Sequence, residues 1–122
     1  MIFSKCATWM EMRSKNIFFL IQGYSLISNK KDCKHKSGKS AYSCYRGDVS
    51  SQSSCEDYCT SQITCVGYDY YIKTSEKCFL YPSERSCPSG FSEYASSGPT
   101  AASMNDLIVG SAGSGYVCYG KI

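Results

Sequence analysis

Nine cysteines in a chain of 122 residues constrain this protein more than any other feature of its sequence. A reducing cytosol gives a small protein little use for so many thiols, whereas a small secreted domain with a thin core relies on disulfides for its missing stability. The length allows one domain, or one domain behind a leader. The chain therefore reads as a disulfide-stapled extracellular module. Its formal charge of +3 is too mild to argue for nucleic acid. His35, the lone histidine, excludes a multi-histidine metal site and is the only imidazole base available.

The first 28 residues differ in character from the rest. Lys5, Arg13 and Lys15 precede an apolar run of Ile17, Phe18, Phe19, Leu20 and Ile21, which resumes at Leu26 and Ile27. That run fits the apolar centre of a signal peptide and falls short of the roughly 20 residues a spanning helix needs. Residues 1–28 are thus expected to be a leader, with an internal start at Met12 giving it a conventional form and cleavage after Gly23 or Ser28. The expected mature domain is 29–122, secreted and without a transmembrane segment. The rival reading is a buried apolar N-terminus. Removal of the leader takes Cys6 with it and leaves eight cysteines, an even number with no leftover thiol.

Beyond Asn29 the charges segregate. Lys30, Lys31, Lys34, Lys36 and Lys39 lie beside His35 and face only Asp32, while from Arg46 onward five basic residues meet eight acidic ones. Such a basic cluster can attract sulfated glycans or anionic membrane, although a solvated lysine-rich terminus is the commoner arrangement. No aromatic residue interleaves with these lysines, so stacking platforms for nucleic acid are missing there.

Local patterns predict one helix and several strands. Tyr42, Ser43, Cys44, Tyr45 and Arg46 form a β-favouring run closed by Gly47 and Asp48. Ser53 and Glu56 have the spacing of a capping box, which predicts a short helix starting near Ser54 with Cys55 and Cys59 on one face. Residues 65–72 read as a strand, 74–77 as a turn, and Cys78, Phe79, Leu80 and Tyr81 as the hairpin partner, ended by Pro82. Tyr116, Val117, Cys118 and Tyr119 read as a closing strand. Spacing alone leaves 105 ways to pair eight cysteines. Zinc is disfavoured, because Cys55, Cys59 and Cys65 lack the short Cys-x-x-Cys knuckle and secretion would oxidise them.

Cys55-x3-Cys59-x5-Cys65, followed by Val66, Gly67, Tyr68, Asp69 and Tyr70 and then by Cys78, Phe79, Leu80 and Tyr81, resembles the core of a PAN/apple domain. Arg46-Gly47-Asp48-Val49 is similar to that family's approach to its helix, and Gly115-Tyr116-Val117-Cys118 to its closing strand. The resemblance runs from about Cys33 to Tyr119. It implies an α+β fold in which one short helix is stapled by disulfides onto a small antiparallel sheet. It also implies the pairs Cys55 with Cys78, Cys59 with Cys65, and Cys33 with Cys118. Cys44 and Cys87 lie outside the family's minimal three-bond pattern and remain to pair with each other.

Catalysis finds little in the sequence: His35 is far from any nucleophile elbow, the acids form no recognisable pair, and neither a phosphate-cradling glycine loop nor a Cys-x-x-Cys redox motif occurs. No cofactor and no metal are expected. Two features could serve binding. Arg46-Gly47-Asp48 matches the integrin tripeptide, though a turn glycine at a strand end explains it as well. Residues 88–115, rich in Ser, Gly and Ala, read as a long loop anchored by Phe91, Tyr94, Met104, Leu107, Ile108 and Val109. A binding surface is expected where that loop approaches the first strand, with Tyr94 as a stacking ring and Arg46 and Asp48 as polar neighbours. The resemblance implies a non-catalytic module that recognises an extracellular glycan or protein, often in adhesion. The alternative is a disulfide-rich effector or structural peptide acting through its basic segment.

Overall fold

The computed structural model describes residues 23–73 and 76–122. The expected leader up to residue 22, with Cys6 and Met12, and turn residues Thr74 and Ser75 lie outside them. The chain is α+β. Strands β1 (Tyr24–Ser28), β2 (Cys33–His35) and β3 (Ser43–Arg46) precede helix α1 (Gln52–Ser61); β4 (Cys65–Tyr71), β5 (Lys77–Pro82), β6 (Ser92–Tyr94), a 3-10 turn (Met104–Asp106), β7 (Leu107–Val109) and β8 (Tyr116–Lys121) follow. Six strands form one antiparallel sheet in the order β1-β8-β4-β5-β3-β6, and β2 pairs with β7 in a second, two-stranded sheet.

Period-2 alternation divides the large sheet into two faces. Tyr68, Tyr70, Cys78, Leu80 and Cys44 point toward α1 and, with Val49, Cys55, Cys59 and Cys65, make the larger core. Tyr81 and Cys118 point the other way and pack on Cys33, Leu107, Ala41 and Ala101. The result is three layers: helix, six-stranded sheet, small sheet. Two glycines let the third layer close. Gly67 and Gly120 are directly opposed, and a Cβ on either would lie 2.6 Å from Leu107 Cδ1 or 2.7 Å from Met104 Cβ.

Four disulfides join the elements. Cys55–Cys78 and Cys59–Cys65 staple α1 to β5 and to the start of β4; Cys33–Cys118 ties β2 to β8, and Cys44–Cys87 ties β3 to the segment before β6. Their Cα separations run from 5.3 to 5.6 Å, inside the normal range. Three of them are the pairs that the resemblance implied, and Cys44–Cys87 is the pair that those three left over. A ten-residue helix is marginal alone, so the staples and the buried face hold it.

Two expectations shift. The helix begins at Gln52, and its N-cap is Ser51, whose Oγ accepts from the Ser54 N–H at 3.1 Å, in place of Ser53. Glu56 is not used as a cap, because its carboxylate accepts from the Tyr68 hydroxyl at 2.8 Å. A phenol whose ring is buried needs that acceptor more than a solvated N–H does. Second, Tyr24–Ser28 is an edge strand paired with β8, with Tyr24 opposite Lys121 and Leu26 opposite Tyr119. A domain beginning at Asn29 would lose this strand, whereas one beginning after Gly23 keeps it.

Candidate functional site

The charges once expected to flank Tyr94 are on the other side of the sheet from it. Arg46 lies on the α1 face: its Nε donates to Asp48 Oδ1 at 2.8 Å, its Nη1 to the Tyr58 hydroxyl at 3.2 Å, and the guanidinium sits 5.6 Å from the Tyr58 ring centroid. The hydrogen bond and charge of Arg46 hold the Asp48 carboxyl below its usual range. The Arg-Gly-Asp tripeptide is thus closed on itself. Tyr94 is opposite Ser43 in the β3–β6 register, one step out of phase with Cys44 and Arg46, and belongs to the face away from α1.

The lysine cluster is not a free tail. Lys34 lies within β2, opposite Ile108, and Lys36 forms an ion pair with Asp106 at 2.8 Å. Lys31 Nζ donates to Ala112 O at 3.2 Å, while Lys30 and Lys39 are exposed. His35 Nδ1 is 2.8 Å from Ser37 Oγ. Residues 88–115, expected as a loop, contain β6, the 3-10 turn and β7. Arg85 clamps their first half, donating to the Ser96 carbonyl at 2.6 Å and to the Gly98 carbonyl while stacking 5.2 Å from the Tyr42 ring centroid. Gly98 is required here, since a Cβ would run into the Ser40 carbonyl.

With these elements in place, the sheet face away from α1 carries a strip of aromatic rings that sequence reading did not assemble. Tyr94 meets Phe79 edge-on at 5.2 Å, Tyr45 lies 5.1 Å from Phe79, Phe79 lies 6.4 Å from Tyr116, and Tyr116 lies 4.6 Å from Tyr71. Phe79 is the buried centre at 7% exposure; Tyr94 is open at 56%, and the other three are partly exposed. Each of these rings comes from a different strand, and the register between the strands brings all five together. Alternation within each strand was visible beforehand, but the register that aligns them was not.

Beside the strip is a cleft of about 50 Å³, bordered by Phe79, Tyr94 and Tyr116 and floored by Ser43, Asp69 and Tyr81. It has room for a few waters or one small polar group. Asp69 is 1% exposed, and burial pushes its carboxyl well above the usual range. Burial and the neighbouring Asp69 push the Tyr81 phenol up as well. Asp69 closes a ring. Its Oδ1 accepts from Cys33 N at 2.8 Å, its other oxygen is hydrogen-bonded to the Tyr81 hydroxyl, and that hydroxyl reaches Cys33 O at 3.2 Å. Both carboxyl oxygens are thereby committed to holding β2 against the sheet.

Among the described residues, the group of possible metal ligands brought close together is Cys33, Asp69 and Cys118. Both sulfurs are in one disulfide, which leaves a single carboxyl and no thiolate to bind a cation. Among the same residues, no helix is long and apolar enough to cross a membrane. Comparison with family models, with curated proteins and with solved structures finds no match to this chain.

Proposed function

We propose that this chain is a secreted, apple-like, non-catalytic binding module that recognises carbohydrate through the aromatic face opposite its helix. The observation that carries the reading is the strip of Tyr94, Tyr45, Phe79, Tyr116 and Tyr71 on a sheet face that α1 leaves open. Tyrosines offer an apolar ring for the C–H face of a sugar and a hydroxyl at the edge, with few rotatable bonds to freeze. Disulfides support an oxidising destination. The commitment of Asp69 and Tyr81 to a structural ring supports binding over catalysis. A protein ligand would use the same rings, and the test below separates the two.

Against the effector reading stands the docking of the lysine segment, with Lys36 paired to Asp106 and Lys34 inside a strand. Deleting residues 30–39 would remove β2 and Cys33, so five Lys→Gln changes at Lys30, Lys31, Lys34, Lys36 and Lys39 are the cleaner probe. Screening the oxidised chain on glycan and extracellular-protein arrays identifies the ligand class. Tyr94→Ala should then weaken binding by about tenfold, the worth of one aromatic contact of ~1.4 kcal/mol, without moving the thermal midpoint. Arg46→Ala should leave it unchanged. Binding that survives both Tyr94→Ala and Tyr71→Ala but disappears with the five glutamines would replace this proposal with the effector.

A further inference from the structure

We infer that the ligand of the aromatic strip is an acidic glycan, carboxylated or sulfated, whose negative group sits at the Tyr71 end beside Lys73 and Lys77. The inference rests on the carbohydrate reading above and adds the charge and direction of the ligand. The strip is not symmetric end to end. At Tyr94 its neighbours are Ser43 and Phe79, whereas at Tyr71 they are two ammonium groups. Lys77 is opposite Tyr71 in the β4–β5 register, and its Nζ stands 5.7 Å from the Tyr71 ring centroid. Lys73 follows two residues after Tyr71 and passes the ring on the other side. A Cβ placed on Gly115 would lie 2.9 Å from Tyr71 Cε1 and 3.0 Å from the Lys73 stem, so ring and stem flank the same point.

Strand alternation explains the placement. Residues 69 and 71 project to one face of β4, and residues 77, 79 and 81 to the same face of β5. Lys77 therefore shares the face of Tyr71, Phe79 and Tyr116, and Lys73, in the bend after β4, comes beside Tyr71 through its stem at Gly115. Gly115, at φ +111°, makes the turn that brings Ser114 over to receive a hydrogen bond from Lys73 Nζ at 3.1 Å. The Ile72 N–H donates to the Gly115 carbonyl at 3.0 Å, which fixes that turn against the hairpin.

Neither ammonium has a carboxylate within ion-pair distance among the described residues, where the pairs found are Lys36–Asp106 and Arg46–Asp48. Lys73 has a neutral hydroxyl as its partner, and Lys77 has the π-face of Tyr71. Among the described residues, both positive charges are thus held in place without a paired carboxylate. A neutral sugar would stack on the rings and gain nothing from these charges. A sugar stacked on Tyr116 with its carboxylate or sulfate projecting past the edge of Tyr71 would bring that anion to both ammonium groups, and hydrogen bonds to an ionised group are roughly twice as strong as neutral ones. Cation–π contact also pre-positions the Lys77 head, so less side-chain entropy is lost on binding.

The test is a glycan array carrying matched neutral, carboxylated and sulfated forms of the same cores, followed by titration of the best matched pair into the full oxidised chain. The acidic member should bind at least about fivefold tighter than its neutral partner and weaken as salt rises toward 0.5 M, since exposed charges are screened over about a Debye length. Lys73→Gln and Lys77→Gln should each remove most of that preference while leaving the neutral member within about twofold. Lys39→Gln, on the remote β2 turn, should change neither. Equal affinity for neutral and acidic members, or a preference that survives the two changes together, overturns this inference and leaves the carbohydrate reading standing. A preference lost with Lys39→Gln overturns it too and moves the charge contact to β2. Failure of every sugar to bind overturns the carbohydrate reading and this inference with it.

Discussion

Asp69 has a role that its place in the sequence does not announce. In the sequence it is one acid in a β-favouring run; in the structure it is fully enclosed and joins the small sheet to the large one through Cys33 and Tyr81. Its raised pKa carries a definite sign. The unfolded group titrates near pH 3.9 and the folded one higher, so the folded state binds more protons in between, and stability falls as pH rises through that window. Asp48 and Asp106 shift the other way, each lowered first by its hydrogen bond to a cation, and lose their contributions only as pH falls below about 4. The two effects therefore occupy different ranges. Urea midpoints measured from pH 4 upward should decline in the native chain. Asp69→Asn should flatten the decline, because an amide can donate to Tyr81 and accept from the Cys33 N–H without titrating. A decline equally steep in both proteins would show that Asp69 is ionised throughout.

At the scale of elements, α1 depends on its surroundings more than on its own sequence. It has no acid in its first turn and no base in its last, and its exposed C-terminal carbonyls are met from outside by Lys121, whose Nζ donates to Cys59 O at 3.0 Å and Gln62 O at 3.2 Å. Two serine changes separate the observed N-cap from the one expected from the capping-box spacing. Ser51→Ala should cost about 1 kcal/mol of unfolding free energy, and Ser53→Ala close to none. Chemical denaturation of the two variants side by side checks this, and the reverse order would return the cap to Ser53. The capping box was legible as a motif, and the helix is where it pointed. What moved was its first residue, because Glu56 was claimed by a tyrosine 12 positions further on.

Across the whole molecule, stability follows the disulfide loops. Cys33–Cys118 spans 85 residues and Cys59–Cys65 only 6, which in the chain-entropy account is about 4 to 5 kcal/mol against about 2. The shortcut through Cys44–Cys87 shortens the largest loop without reversing this order. Replacing Cys33 and Cys118 by alanine should lower the denaturant midpoint more than replacing Cys59 and Cys65. A larger loss from the short bridge would mean that native-state packing around α1, and not the unfolded chain, sets the cost.

The sequence by itself determined what depends on near neighbours along the chain: an α+β class, a helix near Cys55 and Cys59, and strands around β3, β4, β5 and β8. Those follow from periodicity, cysteine spacing and turn residues, which act over a few positions. Tertiary structure alone decided what depends on register and layer. Tyr24–Ser28 became a strand because β8 offered an unpaired edge, and β6 and β7 formed in a segment of low complexity because β3 and β2 were there to pair with. Arg46 and Tyr94 are only one strand apart, yet a single step of β alternation puts them on opposite faces. The same alternation gathers five rings from β3, β4, β5, β6 and β8 onto one surface, an arrangement fixed by hydrogen-bond register between strands that lie far apart in the chain.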